Sequence, residues 1–279
     1  MPEAPNDESV DGFTVASDGL PARVSGSWIE TKHHYLDRYC GIFSKGMKNR
    51  WPKRVFIDVM AGPGLCKIRD TGSEMDGSPL IALNHPFTDF VFVESDPSLC
   101  EALKKRVARH AKGQSAIAIC SDWQNAVDRG ALDFPGALVL GFVDPTGISQ
   151  IPWTSVQRLI TGNKAIDLLF TIQYAMGITL NAGRYSLAKH QETALDRFLD
   201  ERDWRTKFDA GIPSTFRDQV LNRFSEKMAE LKFSSSLQKN VGTGNRTLYR
   251  MALYSRHPKA HEFWAKIIKI DEKGQRTLF

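Results

Sequence analysis

The sequence predicts an α/β protein built on a doubly wound, mostly parallel sheet with a helical carboxy-terminal embellishment. Apolar runs recur at 55–59 (VFIDV), 90–94 (FVFVE), 116–120 (AIAIC), 137–143 (ALVLGFV) and 166–172 (IDLLFTI). They are continuous rather than alternating, as expected of strands covered on both faces. Amphipathic stretches separate them, and that alternation of strand and helix gives a parallel sheet.

Taken in order, the first 20 residues hold five acids (Glu3, Asp7, Glu8, Asp11, Asp18) and no base. With few large apolar side chains, residues 1–26 read as a disordered acidic leader. Trp28, Ile29, Tyr35, Leu36, Tyr39, Ile42 and Phe43 recur near a 3.6-residue period and predict a helix over 28–44. Between the strands, helices are expected near 78–84, 97–111, 123–130 and 153–161. The second has the plainest signature: Asp96 to cap it, Pro97 at its first position, and a stripe of Leu99, Leu103 and Val107. Residues 27–180 thus read as a Rossmann-like core. Residues 181–279 read as helices at 187–203 and 214–232, a strand at 247–254, a helix at 258–268 and a closing hairpin at Lys273-Gly274. The last strand or strands complete the sheet or form a winged-helix-like element.

Composition narrows the class. The chain of 279 residues is 42% hydrophobic and 25% charged, with 37 Lys plus Arg against 32 Asp plus Glu. No apolar run approaches the ~20 residues needed to span a bilayer, and nothing at the amino terminus reads as a signal peptide, so a cytoplasmic protein without membrane contact is expected. Cysteines 40, 66, 100 and 120 lack the close spacing of a zinc or redox motif; free, mostly buried thiols are expected, with no metal. His33-His34 reads as helix surface, and Trp153 and Trp264 as packing residues.

In open α/β sheets ligands bind outside the carboxyl ends of the strands. The first such end is Asp58-Val59-Met60-Ala61-Gly62-Pro63-Gly64, where two glycines allow positive φ and close approach of a ligand. No Gly-Lys-Ser/Thr follows, which argues against a P-loop. A third glycine opening directly into a helix is also missing, because the helix waits until Ser78-Pro79. Asp58 at the strand end suits a cationic ligand better than a pyrophosphate, and S-adenosylmethionine, with its α-amino group and sulfonium, is such a ligand. Glu94 ends the second strand, where a carboxylate can accept both ribose hydroxyls. Asp122 and Trp123 follow the third, placed for the adenine amine and ring face. Asp144 and Pro145 end the fourth, opposite the methyl donor. Asp76 and Ser78 are loop residues close behind the glycine turn.

The runs FIDVMAGPG, DGSPLIAL, VFVESDP, FVDPTGISQIPW and LYRMALYSRHPKAHEFW resemble the three-Cys-motif partner family (TcmP), whose core is class I methyltransferase-like. The resemblance spans about Trp28 to Trp264. It implies cofactor binding at Asp58, Gly62, Gly64, Glu94 and Asp122, an active-site strand end at Asp144 and Pro145, and a separately encoded partner that carries the three cysteines. Asp144-Pro145 also resembles the Asp-Pro-Pro-aromatic loop of amine methyltransferases, with Thr146 and Gly147 in place of proline and the aromatic platform.

Two windows rich in base, 38–57 and 231–261, interleave cations with Trp51, Phe233, Tyr249 and Tyr254. Such segments can contact phosphates and stack on bases, so nucleic acid is an expected partner. The functional expectation is a methyltransferase acting on nucleic acid or a nucleobase-containing substrate. The alternative is a non-catalytic module that holds cofactor or RNA for the three-Cys-motif enzyme.

Overall fold

The computed structural model describes residues 12–172, 178–188, 191–236, 238–243 and 246–271. Five strands that read as buried runs form the parallel part of the main sheet: β3 (Arg54–Asp58), β6 (Asp89–Glu94), β7 (Ala116–Cys120), β8 (Leu138–Val143) and β9 (Ala165–Ile172). Their spatial order is β9-β8-β3-β6-β7, with every neighbouring pair parallel. Alternate residues serve two cores. Val55 and Ile57 of β3 join the cluster under one helical layer, and Phe56 joins Phe90, Phe92 and Phe142 under the other.

The first layer is α4 (Trp123–Asp128), α5 (Trp153–Gly162) and the later helices α6 (Ala182–Leu187), α7 (Ala194–Leu199), α8 (Trp204–Lys207) and α9 (Pro213–Glu230). The second is α1 (Trp28–Gly46), α2 (Ser78–Leu83), α3 (Pro97–Arg109) and α10 (Pro258–Ile267). The expected helix over 187–203 is broken: α7 starts at Ala194 on a capping box made by Thr193 and Asp196. Trp153 and Trp264 are packing residues, 4% and 0% exposed.

The carboxy-terminal strand completes the sheet rather than building a winged helix. β12 (Arg246–Ser255) lies antiparallel to β9, from Arg250 opposite Ile172 to Tyr254 opposite Leu168. Two short strands, β10 (Ser234–Ser235) and β11 (Lys239–Thr243), pair with its other edge. The hairpin expected at Lys273-Gly274 falls outside the described residues.

The disordered leader is corrected for its second half. β1 (Phe13–Val15) and β2 (Pro21–Ser25) form a hairpin, and β2 pairs in parallel with β4 (Leu65–Ile68), which turns back into β5 (Glu74–Asp76). The polar stretch between the glycine turn and α2 is therefore a β-hairpin whose edge partner is the leader. The acidic side chains here are paired rather than repelling: Glu74 accepts from the Ser17 amide (2.7 Å) and hydroxyl (2.6 Å), and Asp18 is ion-paired with Arg106.

The expectation of four free thiols is also corrected. Packing of α3 against β7 brings Cys100 and Cys120 into a disulfide, with Cα atoms 5.6 Å apart. Cys40 and Cys66 are free and buried, and burial pushes the Cys66 thiol up to about 11. No described helix is long and apolar enough to cross a membrane.

Candidate functional site

The carboxyl ends of β3, β6, β7 and β8 open onto a cavity of about 520 Å³. Gly62, Glu94, Asp122, Trp123 and Asp144 all line it, so acids from three strand ends do converge beside the glycine turn. Phe13, Arg23 and Val24 from the small sheet also line it. The amino-terminal segment, whose sequence looked least structured, thus forms one wall.

The glycine turn is held in a conformation that demands glycine. Gly62 and Gly64 have φ of +63° and +86°. A Cβ at Gly62 would meet nothing within 4 Å, so its backbone faces open space; one at Gly64 would sit 3.1 Å from Leu103 of α3. Arg106, 5% exposed, donates to the Pro63 carbonyl between them (2.7 Å). Behind the turn, the Gly77 amide donates to the Gly64 carbonyl (2.9 Å) just before α2 begins.

Glu94 accepts from the Gly62 amide (2.9 Å) and the Asp96 amide (2.8 Å). A carboxylate has about four acceptor sites, so two amides fix its orientation and leave acceptor capacity for vicinal hydroxyls. Asp122 is exposed and caps α4 through Gln124 (3.4 Å). Trp123 is buried; its indole donates to the Gln150 carbonyl (2.7 Å), which fixes the ring as cavity wall.

Asp58 does not line this cavity. It is fully buried under the turn, where one carboxylate oxygen accepts from the Met60 amide (3.2 Å) and the other, Oδ2, makes no hydrogen bond with a described residue. Burial pushes its carboxyl up to about 7, against the Ser78 hydroxyl and the Met60 amide, and the charges of Asp144 and Glu94 push the same way. Direct contact between Asp58 and a ligand is therefore corrected to a supporting position beneath the turn. Ser78, expected as a loop residue, is the first residue of α2 and lies against Asp58, while Gly77 occupies the cap position. Asp76 is exposed on β5 and lines none of the cavities here.

Asp144 is committed on both oxygens, to the Lys32 ammonium from α1 and the Thr171 hydroxyl from β9. Burial works to raise its carboxyl, but Lys32, Thr171 and Arg23 outweigh that and hold it below the usual carboxylate range. It is ionised and a poor proton acceptor. Beside Lys32, His33 is buried rather than on the surface, and burial together with the Lys32 charge lowers it to about 3, so its imidazole is neutral.

Sequence reasoning missed Arg23, Lys32, Arg106 and Thr171. Two of them had a legible signal: Lys32 falls at the i+3 position from Ile29, and Arg106 at the i+3 position from Leu103, each on an apolar stripe. A cation on a buried stripe demands a fixed partner.

The basic windows are split. Arg50, Trp51, Arg256 and Lys259 meet around a separate hollow of about 310 Å³, with Ala165 and Leu138 at the amino ends of the parallel strands. Window 38–57 therefore lies at the opposite end of the sheet from the glycine turn. From 231–261, Tyr249 faces the Asp144 side.

No protein-family model and no curated protein matches this chain. Among solved structures, a Legionella pneumophila protein of family DUF519 superposes with a TM-score of 0.56 at 13% identity, covering 87% of this chain and 90% of that one. The O-methyltransferase TomG of Streptomyces achromogenes, solved with S-adenosylmethionine, gives 0.46 at 12% identity over 84% and 82%. An O-methyltransferase from Bacillus cereus, in complex with S-adenosylhomocysteine, gives 0.45 at 10% identity over 85% and 85%. At these identities the likeness is one of fold.

Proposed function

We propose that this chain is an S-adenosylmethionine-dependent methyltransferase. The supporting observation is the convergence of Glu94, Asp122 and Asp144 with Gly62 on one cavity. An adenosyl group fits that donor set: Glu94 faces the ribose, Asp122 the adenine amine, Trp123 the ring, and the bare backbone at Gly62 the methionine part. Asp144 places a carboxylate on the side where a sulfonium would lie, and Lys32, which lines the small hollow beside Gly62 and Gly64, is the cation on the side of the cofactor's carboxylate. When bound, the cofactor supplies an electrophilic methyl group.

Asp144 then acts by position and charge. Its lowered affinity for a proton leaves it an acceptor of hydrogen bonds from the nucleophile, aligning a lone pair rather than removing the proton. Pro145, buried, makes the strand end rigid beside it.

The second reading is a cofactor-holding module for a three-Cys-motif partner, in keeping with the TcmP resemblance. It draws on the full commitment of Asp144 to Lys32 and Thr171. Nucleic acid as substrate draws support from part of window 231–261 only, since Arg50 and Trp51 of the other window, together with Arg256 and Lys259, lie at the far end of the sheet. Incubation of cofactor carrying a labelled methyl with RNA, DNA, protein and small-molecule fractions tests enzyme against module. Label transferred by the wild type and lost in Asp144→Ala supports the enzyme; binding without transfer to any fraction supports the module.

A further inference from the structure

Next to the main cavity, on the far side of Asp144, is a smaller hollow of about 90 Å³. Arg23 of β2, Lys32 of α1 and Arg69 after β4 reach it, with Trp28 and Tyr249 as its aromatic walls. Asp144 is the one acidic residue among those lining it, and it is ion-paired with Lys32. The surplus belongs to Arg23 and Arg69, neither of which forms a side-chain hydrogen bond or ion pair with a described residue.

The hollow is built rather than incidental. The Arg69 amide donates to the Ser25 carbonyl (2.8 Å), tying the two strands that deliver the arginines. The Trp28 ring lies so close over Gly26 that a Cβ there would fall 1.9 Å from it, so glycine is what lets the ring take this position. The Lys32 ammonium sits 5.4 Å from the centre of the Tyr249 ring. Strand-end loops with an aromatic after Asp-Pro carry their own stacking surface; here Thr146 and Gly147 replace it, and Trp28 and Tyr249 stand beside Asp144-Pro145 instead.

Resting on the methyltransferase reading, we propose that the methyl acceptor is a planar-ring compound bearing an oxyanion, a phosphate or carboxylate held by Arg69 and Arg23, with its ring against Trp28 and Tyr249. Two guanidiniums bind an oxyanion through paired, charge-assisted hydrogen bonds, and aromatic walls favour a flat ring between them and the reacting centre.

The test uses the full chain saturated with S-adenosylhomocysteine, titrated calorimetrically with adenosine 5′-monophosphate and with 4-hydroxybenzoate, each paired with its uncharged counterpart, adenosine or phenol. The expected result is that at least one anion binds about tenfold or more tighter than its neutral counterpart. Which anion gains identifies phosphate or carboxylate as the source. Arg69→Ala, on the surface and away from the adenosyl cavity, should erase that gain while homocysteine-analogue affinity stays within about twofold. Equal binding of charged and neutral members, or an unchanged gain in Arg69→Ala, overturns the proposal. If S-adenosylhomocysteine gives no heat, the cofactor reading fails, and the same titrations on the ligand-free protein decide the anion subsite by the same criterion.

Discussion

Arg106 and Asp18, 88 residues apart, are joined by a two-pronged ion pair: Nε donates to one carboxylate oxygen at 2.9 Å and Nη2 to the other at 2.8 Å. The same guanidinium donates to the carbonyls of Pro21 and Pro63, both at 2.7 Å. One side chain thereby clamps the amino-terminal hairpin to the glycine turn. The small sheet is part of the site because of it.

Arg106→Ala is expected to destabilise the protein by roughly 3 kcal/mol or more, because the Asp18 carboxylate and the Leu20, Pro21 and Pro63 carbonyls lose a buried charged donor. Arg106→Lys should recover little, since an ammonium cannot reproduce the planar fork. Urea unfolding measures both. S-adenosylhomocysteine affinity should fall with them, because Gly62 and Gly64 lose their support.

A second expectation concerns Lys32 and Asp144. Lys32→Met leaves Asp144 ionised and largely buried, and should cost about 3 kcal/mol at neutral pH. Adding Asp144→Asn removes the stranded charge, so the double variant should be more stable than Lys32→Met alone. A double-mutant cycle in denaturant reads the coupling; additive costs would mean the pair is not energetically linked.

The parallel strands and the glycine turn were legible because their signals are local: continuous apolar runs and the Gly62-Pro63-Gly64 spacing. That Glu94, Asp122 and Asp144 would share one cavity was legible because a parallel sheet sends successive strand ends to one edge. The small sheet was not, since β1, β2, β4 and β5 are short, partly exposed and held by pairing between segments about 40 residues apart. The Cys100–Cys120 bond was hidden for a similar reason: its partners meet only once β6, α3 and β7 have packed. The burial of Asp58 beneath the turn was not legible, because a strand-end carboxylate can face a cavity or the backbone and its sequence position does not distinguish them.

Asp58 carries a pH signature. Its folded value is near 7 and its unfolded value near 3.8, so between these the native state holds a proton that the unfolded state has released. Its favourable contribution is complete below pH about 4 and is lost as pH rises through about 7, worth up to about 4 kcal/mol. Asp58→Asn escapes the loss. Relative to wild type, its melting temperature should improve between pH 5 and pH 8; a constant difference would mean Asp58 does not titrate in this range.

Gly77 has an extended backbone, yet a Cβ there would lie 3.0 Å from the carbonyl carbon and oxygen of Gly64. Gly77→Ala must therefore push the glycine turn outward. The expected cost is about 1–3 kcal/mol, with a larger proportional loss in cofactor affinity than Leu80→Ala, which leaves the turn in place. Melting and ligand titration on both variants separate the two effects.

The central assignment is that Glu94 and its neighbours receive an adenosyl compound beside the bare backbone of Gly62. Calorimetric titration of S-adenosylhomocysteine into the wild type and Glu94→Gln tests it most directly. One-to-one binding, weakened about tenfold or more in the variant at unchanged fold, is the expected result. Absence of heat from both S-adenosylhomocysteine and S-adenosylmethionine, or equal affinity in Glu94→Gln, would contradict it.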